Sequence, residues 1–199
     1  MNVLAVEEYI IQQLSSGLSP DLHYHNLAHT MAVVSRSHAI AVEEGVVDSY
    51  ALTILKTAAL LHDTGFLVVY DNHEEEGCKI AQRILPSLEY SVQDIDMICG
   101  LIMKTKIPQA PVTHLEMILC DADLDHLGSQ SFKEVSSRLL EEWKAFHKIK
   151  DEKEWNQIQY NFLKDHSYWT ATSRAQRDPL KATYLEELRQ ELGLNEVNK

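Results

Sequence analysis

The sequence predicts an all-α fold, a single helical bundle with a C-terminal helical extension. Three observations predict it. Between the seven glycines and five prolines, nearly every stretch repeats its apolar residues at helical spacing. No segment sustains the apolar–polar alternation of a half-buried strand. No internal repeat, low-complexity run or linker divides the 199 residues, a length that suits one ordinary domain.

Val3, Val6, Ile10, Ile11 and Leu14 form the first amphipathic stripe, and residues 15–21 read as a loop. A helix over 26–44 carries Met31, Val33, Val34, Ile40 and Ala41. Asp48 is a good N-cap for the next helix, whose apolar run ends at Leu60 and Leu61, with Gly65 as a stop. After a connector over 67–72, residues 73–85 read as helical up to Pro86. Val92, Ile95, Ile98, Leu101 and Ile102 mark another helix, which Pro108 and Pro111 end. Residues 112–123 lead into a cluster of aspartates. Beyond Gly128 the segments 132–150 and 155–166 are helical, charged and rich in aromatic residues. Asp178-Pro179 marks the start of a last helix running to Leu192. The expected organisation is a core over about 20–130 and an extension over about 131–199.

A net charge of −12 argues against a nucleic-acid or anionic-membrane surface, because such surfaces are built from Lys and Arg. Cys78, Cys99 and Cys120 are far apart and form no Cys-x-x-Cys pair, so they read as thiols of a reducing cytosol. The N-terminal stretch, with Glu7 and Glu8, does not read as a signal peptide, and no apolar run is long enough to span a bilayer. The expectation is a cytoplasmic protein without membrane or nucleic-acid partners.

His62-Asp63 ends an apolar run, where burying an imidazole and a carboxylate is costly unless a charge meets them. A divalent metal is such a charge. Upstream, His25 and His29 are four residues apart and share a helix face. Downstream, Asp121, Asp123 and Asp125 follow a second apolar run. Three dispersed segments thus bring metal-type ligands to the ends of apolar helices, the layout of a metal site in a helical core. An EF-hand loop is excluded, since its sixth and twelfth positions would be His126 and Phe132 instead of Gly and Glu.

In this order of motifs the chain resembles the HD-domain metal-dependent phosphohydrolases, whose pattern is His, His-Asp, Asp. Tyr24-His25-Asn26-x-x-His29 and Cys120-x-Ala122-Asp123-Leu124 are similar to segments of the cyclic-nucleotide phosphodiesterase branch. His73-Glu74 with Gly77 looks like a His-Glu segment of the nucleotide-hydrolysing branches. The resemblance covers Tyr24 to about Gly128. It implies His29, His62, Asp63 and Asp123 as metal ligands, with Asp121 and Asp125 capping helices or holding the ligands in place. On the residues alone His25 either orients His29 or caps the helix; the resemblance implies it as a general acid, and His73 as a general acid or a ligand to a second ion. Asp63 would then also take part in the chemistry, bridging to a second ion if one binds. One or two divalent ions are expected, and this donor set suits Mn, Fe, Zn, Co or, less well, Mg.

The sequence departs from many relatives at Phe66, where they carry a second histidine. A phenylalanine would dry that wall and weaken a second ion's site. Lys104 and Lys106 are either a solvated pair or the contacts for a phosphate, and Arg36 is a weaker candidate. Trp143, Phe146, Trp155, Tyr160, Tyr168 and Trp169 read as core or as the surface of a homodimer rather than as a base-stacking platform. The implied function is hydrolysis of a phosphate ester of a nucleotide or similar small metabolite. The alternative is a regulatory module that binds metal and nucleotide without turnover.

Overall fold

The computed structural model describes residues 1–194, so the last five positions of the expected extension lie outside the described residues. Among the described residues all regular structure is helical, with no strand. The helices are α1 (Val3–Gly17), α2 (Leu27–Glu43), α3 (Ser49–Leu61), α4 (His73–Ile84), α5 (Val92–Thr105), α6 (His114–Asp123), α7 (Phe132–Ala145), α8 (Glu152–Asp165) and α9 (Ala171–Glu191).

Local chemistry fixes where these helices begin. Asn26 accepts from the backbone of Ala28 and His29, and Asp48 from Tyr50 and Ala51. Reciprocal capping boxes, Ser91 with Asp94 and Thr113 with Glu116, start α5 and α6. Helix α4 instead places Glu74, Glu75 and Glu76 in its first turn, where the helix dipole favours negative charge.

Helices α1 to α6 enclose one apolar cluster, in which Val6, Ile10, Ile40, Ile54, Leu60, Ile98 and Leu119 are fully buried. Helix α2 packs on α3 and α6, and α5 packs on α3 and α4. This arrangement brings the start of α2, the end of α3, the start of α4 and the end of α6 to one region. A second cluster of Leu127, Phe132, Leu163, Tyr168, Tyr184 and Leu188 belongs to the extension.

Polar anchors join the extension to the bundle. Buried Asp121 accepts from Trp169 N at 2.8 Å, Thr170 N at 2.8 Å and Thr170 Oγ1 at 2.7 Å. Asp125 takes Arg36 from α2 and Arg177 from α9. Gly128 allows the turn 125–128 to approach α9, because a Cβ there would lie 2.2 Å from Arg177 O.

Four boundaries differ from expectation. Helix α1 continues two residues beyond Ser15, to Gly17. The predicted 132–150 segment ends at Ala145, and α8 starts at Glu152 on the Asp151 cap. The last helix starts at Ala171, with Pro179 inside it. Thr170 caps its first turn, Arg174 donates to Tyr168 O and Trp169 O, and Arg177 pairs with Asp125. Those contacts hold the turns before Pro179 in place and outweigh the hydrogen bond that the proline removes.

Candidate metal centre

The His62-Asp63 pair sits where α3 ends. His62 Nδ1 donates to Ala59 O at 2.8 Å, so the lone pair of a neutral His62 is on Nε2. That atom lies 3.3 Å from His29 Nε2, 3.2 Å from Asp63 Oδ2 and 3.4 Å from Asp123 Oδ1. His29 Nε2 lies 3.2 Å from each of the same two carboxylate oxygens. All four side chains are largely buried.

This geometry fits a divalent ion. His29 Nε2, His62 Nε2 and Asp123 Oδ1 lie 3.2 to 3.4 Å apart, which matches a common centre with bonds of about 2.0–2.2 Å, and Asp63 Oδ2 stands 3.2 Å from both imidazoles. Asp63 Oδ2 is buried and has no hydrogen-bond partner, although two imidazole nitrogens stand beside it. A buried carboxylate oxygen in that state needs a cation. Electrostatics agree. Burial works to lower the pKa of His29, yet Asp123 and Asp63 outweigh it and raise the value. His62 behaves alike and is raised well above the ordinary value. Burial would raise Asp63 and Asp123, but the same imidazoles hold both below the usual carboxylate range. The cluster favours positive charge at its centre, either as protons on the imidazoles or as a metal in their place.

Gly65 gives the turn after Asp63 its reach. A Cβ there would lie 1.9 Å from His73 O, so only glycine lets this backbone press on the start of α4. The approach puts His73 Nε2 3.5 Å from Asp63 Oδ1 and from Glu74 Oε1. His25 lies nearby, its ring centroid 6.3 Å from that of His73. Phe66 fills the space between them, stacked on His25 at 4.5 Å and on His73 at 3.9 Å. It is buried behind the two imidazoles and braces both, a different position from the expected pocket wall.

The sequence reading did not single out Glu142, on α7. It is fully buried and accepts from Tyr24 N at 2.9 Å, His25 N at 3.0 Å, Tyr70 Oη at 3.0 Å and His25 Nδ1. The pairing leaves His25 Nε2 as the ring atom able to exchange a proton with a bound molecule. In sequence Glu141-Glu142 looks like the solvated face of a charged helix, and no local pattern marks it. Tyr24 packs on His29 and shares a 3.1 Å hydrogen bond with His126 Nδ1. Burial pushes the Tyr24 phenol up and the His126 imidazole down to about 4, so both are neutral near pH 7.

A cavity of about 390 Å³ opens beside the cluster and is lined by Tyr24, His25, Asp63, His73, Glu74 and Asp123 on one side. Apolar residues of α7 and α8 line the other side. Lys104 and Lys106 do not line it. Lys104 Nζ donates to Ala110 O across the turn at Pro108, and Lys106 pairs with Glu75 and Asn72. Their expected contact with a phosphate finds no support in this placement. Asp121 and Asp125 anchor the extension, so of the three aspartates only Asp123 joins the cluster.

The HD domain family model matches residues 26–127. Structural comparison finds a predicted HD superfamily hydrolase from an uncultured Thermotogales bacterium, 21% identical with a TM-score of 0.61, over 96% of this chain and 91% of that one. A Lactobacillus plantarum protein is 17% identical with a TM-score of 0.70, over 96% and 95%. Bacillus subtilis YpgQ, solved in complex with ADP, is 16% identical with a TM-score of 0.62, over 96% and 97%. At these identities the likeness is one of fold. No curated protein matches the sequence.

Proposed function

The chain belongs to the HD-domain family, and on that premise we propose that it is a metal-dependent phosphohydrolase acting on a nucleotide or similar small metabolite. The observation that carries this reading is the convergence of His29 Nε2, His62 Nε2 and Asp123 Oδ1, with Asp63 Oδ2 3.2 Å from both imidazoles, beside a cavity that Asp63 and Asp123 line. These four residues would hold the ion. A divalent ion bound there supplies Lewis-acid polarisation of a phosphoryl oxygen and a lowered pKa for water. The ADP complex of YpgQ, a neighbour in fold, supports the nucleotide class.

The chain's own groups move the protons. Water adds at phosphorus as the ester oxygen leaves, and the proton that the water loses replaces the one given to the leaving oxygen, so the products are an alcohol and the phosphate released from it. Glu142 holds His25 with Nδ1 turned away, and His25 Nε2 gives its proton to the leaving oxygen. His73, beside Asp63 Oδ1, is the second candidate for that role or for a second ion.

The test is phosphate release from a panel of nucleotides and sugar phosphates with Mn, Fe, Zn, Co and Mg, alongside elemental analysis of the purified protein. Release with at least one metal supports the reading. A metal-loaded protein that binds nucleotides and releases no phosphate from any of them is instead a binding module.

A further inference from the structure

The cavity has two chemically different ends. One end is formed by Asp63 and Asp123 of the donor cluster, with His25, His73 and Glu74. The other is ring and alkyl surface from Leu139, Trp143, Trp155, Ile158, Phe162 and Leu163. Polar atoms on that wall are paired with one another. Trp155 Nε1 donates to Ser136 Oγ at 3.1 Å, and Ser136 Oγ donates to Gln159 Oε1. Trp143 and Trp155 meet edge to face, with centroids 5.3 Å apart. The wall therefore offers a ligand dispersion and ring contact, and few hydrogen bonds.

Charge narrows the ligand further. Among the described residues no lysine or arginine lines the cavity, whereas Asp63, Glu74 and Asp123 do. A hollow of about 660 Å³ shares Ile107, Leu124, Ile158 and Phe162 with the cavity, and no lysine or arginine among the described residues lines it. A divalent ion at the cluster balances one phosphoryl group. A second phosphate on the α7–α8 side would meet ring and alkyl surface and no lysine or arginine of the described residues.

We infer that the substrate is a phosphate monoester with a single phosphoryl group on an apolar, ring-bearing body. The phosphoryl group lies at the His29–His62–Asp63–Asp123 cluster and the body lies against α7 and α8. This inference rests on the phosphohydrolase reading and narrows it from nucleotides in general. It assigns selectivity to the extension, because Leu139, Trp143, Trp155, Ile158 and Phe162 all lie on α7 or α8.

The test uses phosphonates, which cannot be hydrolysed at carbon, so leaving-group chemistry drops out. Methylphosphonate, 2-naphthylmethylphosphonate and 3-phosphonopropionate are titrated by calorimetry into the full chain loaded with Mn. Burial of a naphthyl ring predicts binding on the order of 30-fold tighter than methylphosphonate. The second anion of 3-phosphonopropionate predicts no gain. Trp143 and Leu139 are only half-buried, so both can be changed. Trp143→Ala should erase most of the naphthyl preference. Leu139→Lys should weaken naphthyl binding and tighten 3-phosphonopropionate about tenfold. Equal affinity of the wild type for all three, or a preference for 3-phosphonopropionate, overturns the inference while leaving phosphohydrolysis intact. Absence of both phosphonate binding and phosphate release overturns the parent reading and the inference together.

Discussion

Glu142 makes His25 more than a histidine near a cavity. A fully buried carboxylate with four donors fixes one ring nitrogen and leaves the other for chemistry. Glu142→Gln should keep the bound metal and lower turnover about 10–10²-fold on esters with poor leaving groups. On a 4-nitrophenyl ester, whose leaving group needs no proton, the loss should be small. Equal losses on both kinds of ester would assign Glu142 a purely structural role. His25→Ala should show the same pattern. If His25→Ala and His73→Ala both turn over the natural ester at the wild-type rate, neither is the acid. Asp63→Asn should differ in kind, because it removes a donor from the cluster and turns a buried carboxylate into an amide. Elemental analysis should find its metal content well below wild type. Retention of a full equivalent of metal would remove Asp63 from the ligand set. His62-Asp63 and Asp123 were legible in sequence because polar groups at the ends of apolar runs are costly without a partner. Glu142 was not, because its partners lie 72 to 118 residues away and its own helix is charged on its exposed face.

Helices were legible wherever apolar spacing and caps agreed, as at Asp48, and less so where tertiary contacts decided the outcome. Pro179 reads locally as a helix start, yet α9 begins eight residues earlier because Asp121, Tyr168 O and Asp125 hold its first turns. Asp121→Ala tests that account. It deletes the acceptor of three hydrogen bonds and leaves buried donors at Trp169 and Thr170. The expected cost is about 2–4 kcal/mol, read by urea unfolding. A loss below about 0.5 kcal/mol would show that α9 docks without this anchor. The same element-level logic applies to Gly65. Gly65→Ala forces the turn away from His73 O, so α4 must shift and take His73 with it. The expected result is a stability loss of about 1–3 kcal/mol together with reduced turnover.

At the scale of the whole molecule, the donor cluster links folding, metal and pH. Metal that binds only the folded chain stabilises it by about 4 kcal/mol at a thousand times its dissociation constant. For a chain of this size that is roughly 8–16 °C in Tm. The pH dependence follows from the shifts at the cluster. In the metal-free protein burial opposes charge on His29 and His62, but Asp63 and Asp123 prevail and raise both pKa values. A raised imidazole contributes stability that is fully present below its unfolded pKa of about 6.5 and is lost as pH rises through its folded value. Asp63 and Asp123 are shifted down, so their contribution is present above their unfolded pKa of about 3.9 and is lost only as pH falls through the lower folded values. From pH 6.5 upward, therefore, the cluster's contribution to the metal-free protein declines as the imidazole protons leave. The metal-bound protein moves the other way, because metal needs both imidazoles neutral and no longer competes with protons. Thermal unfolding with excess metal and with chelator, from pH 6 to 9, should show the gap in Tm widening as pH rises. A gap that stays constant across that range would mean that His29 and His62 are not the groups whose protons the metal displaces.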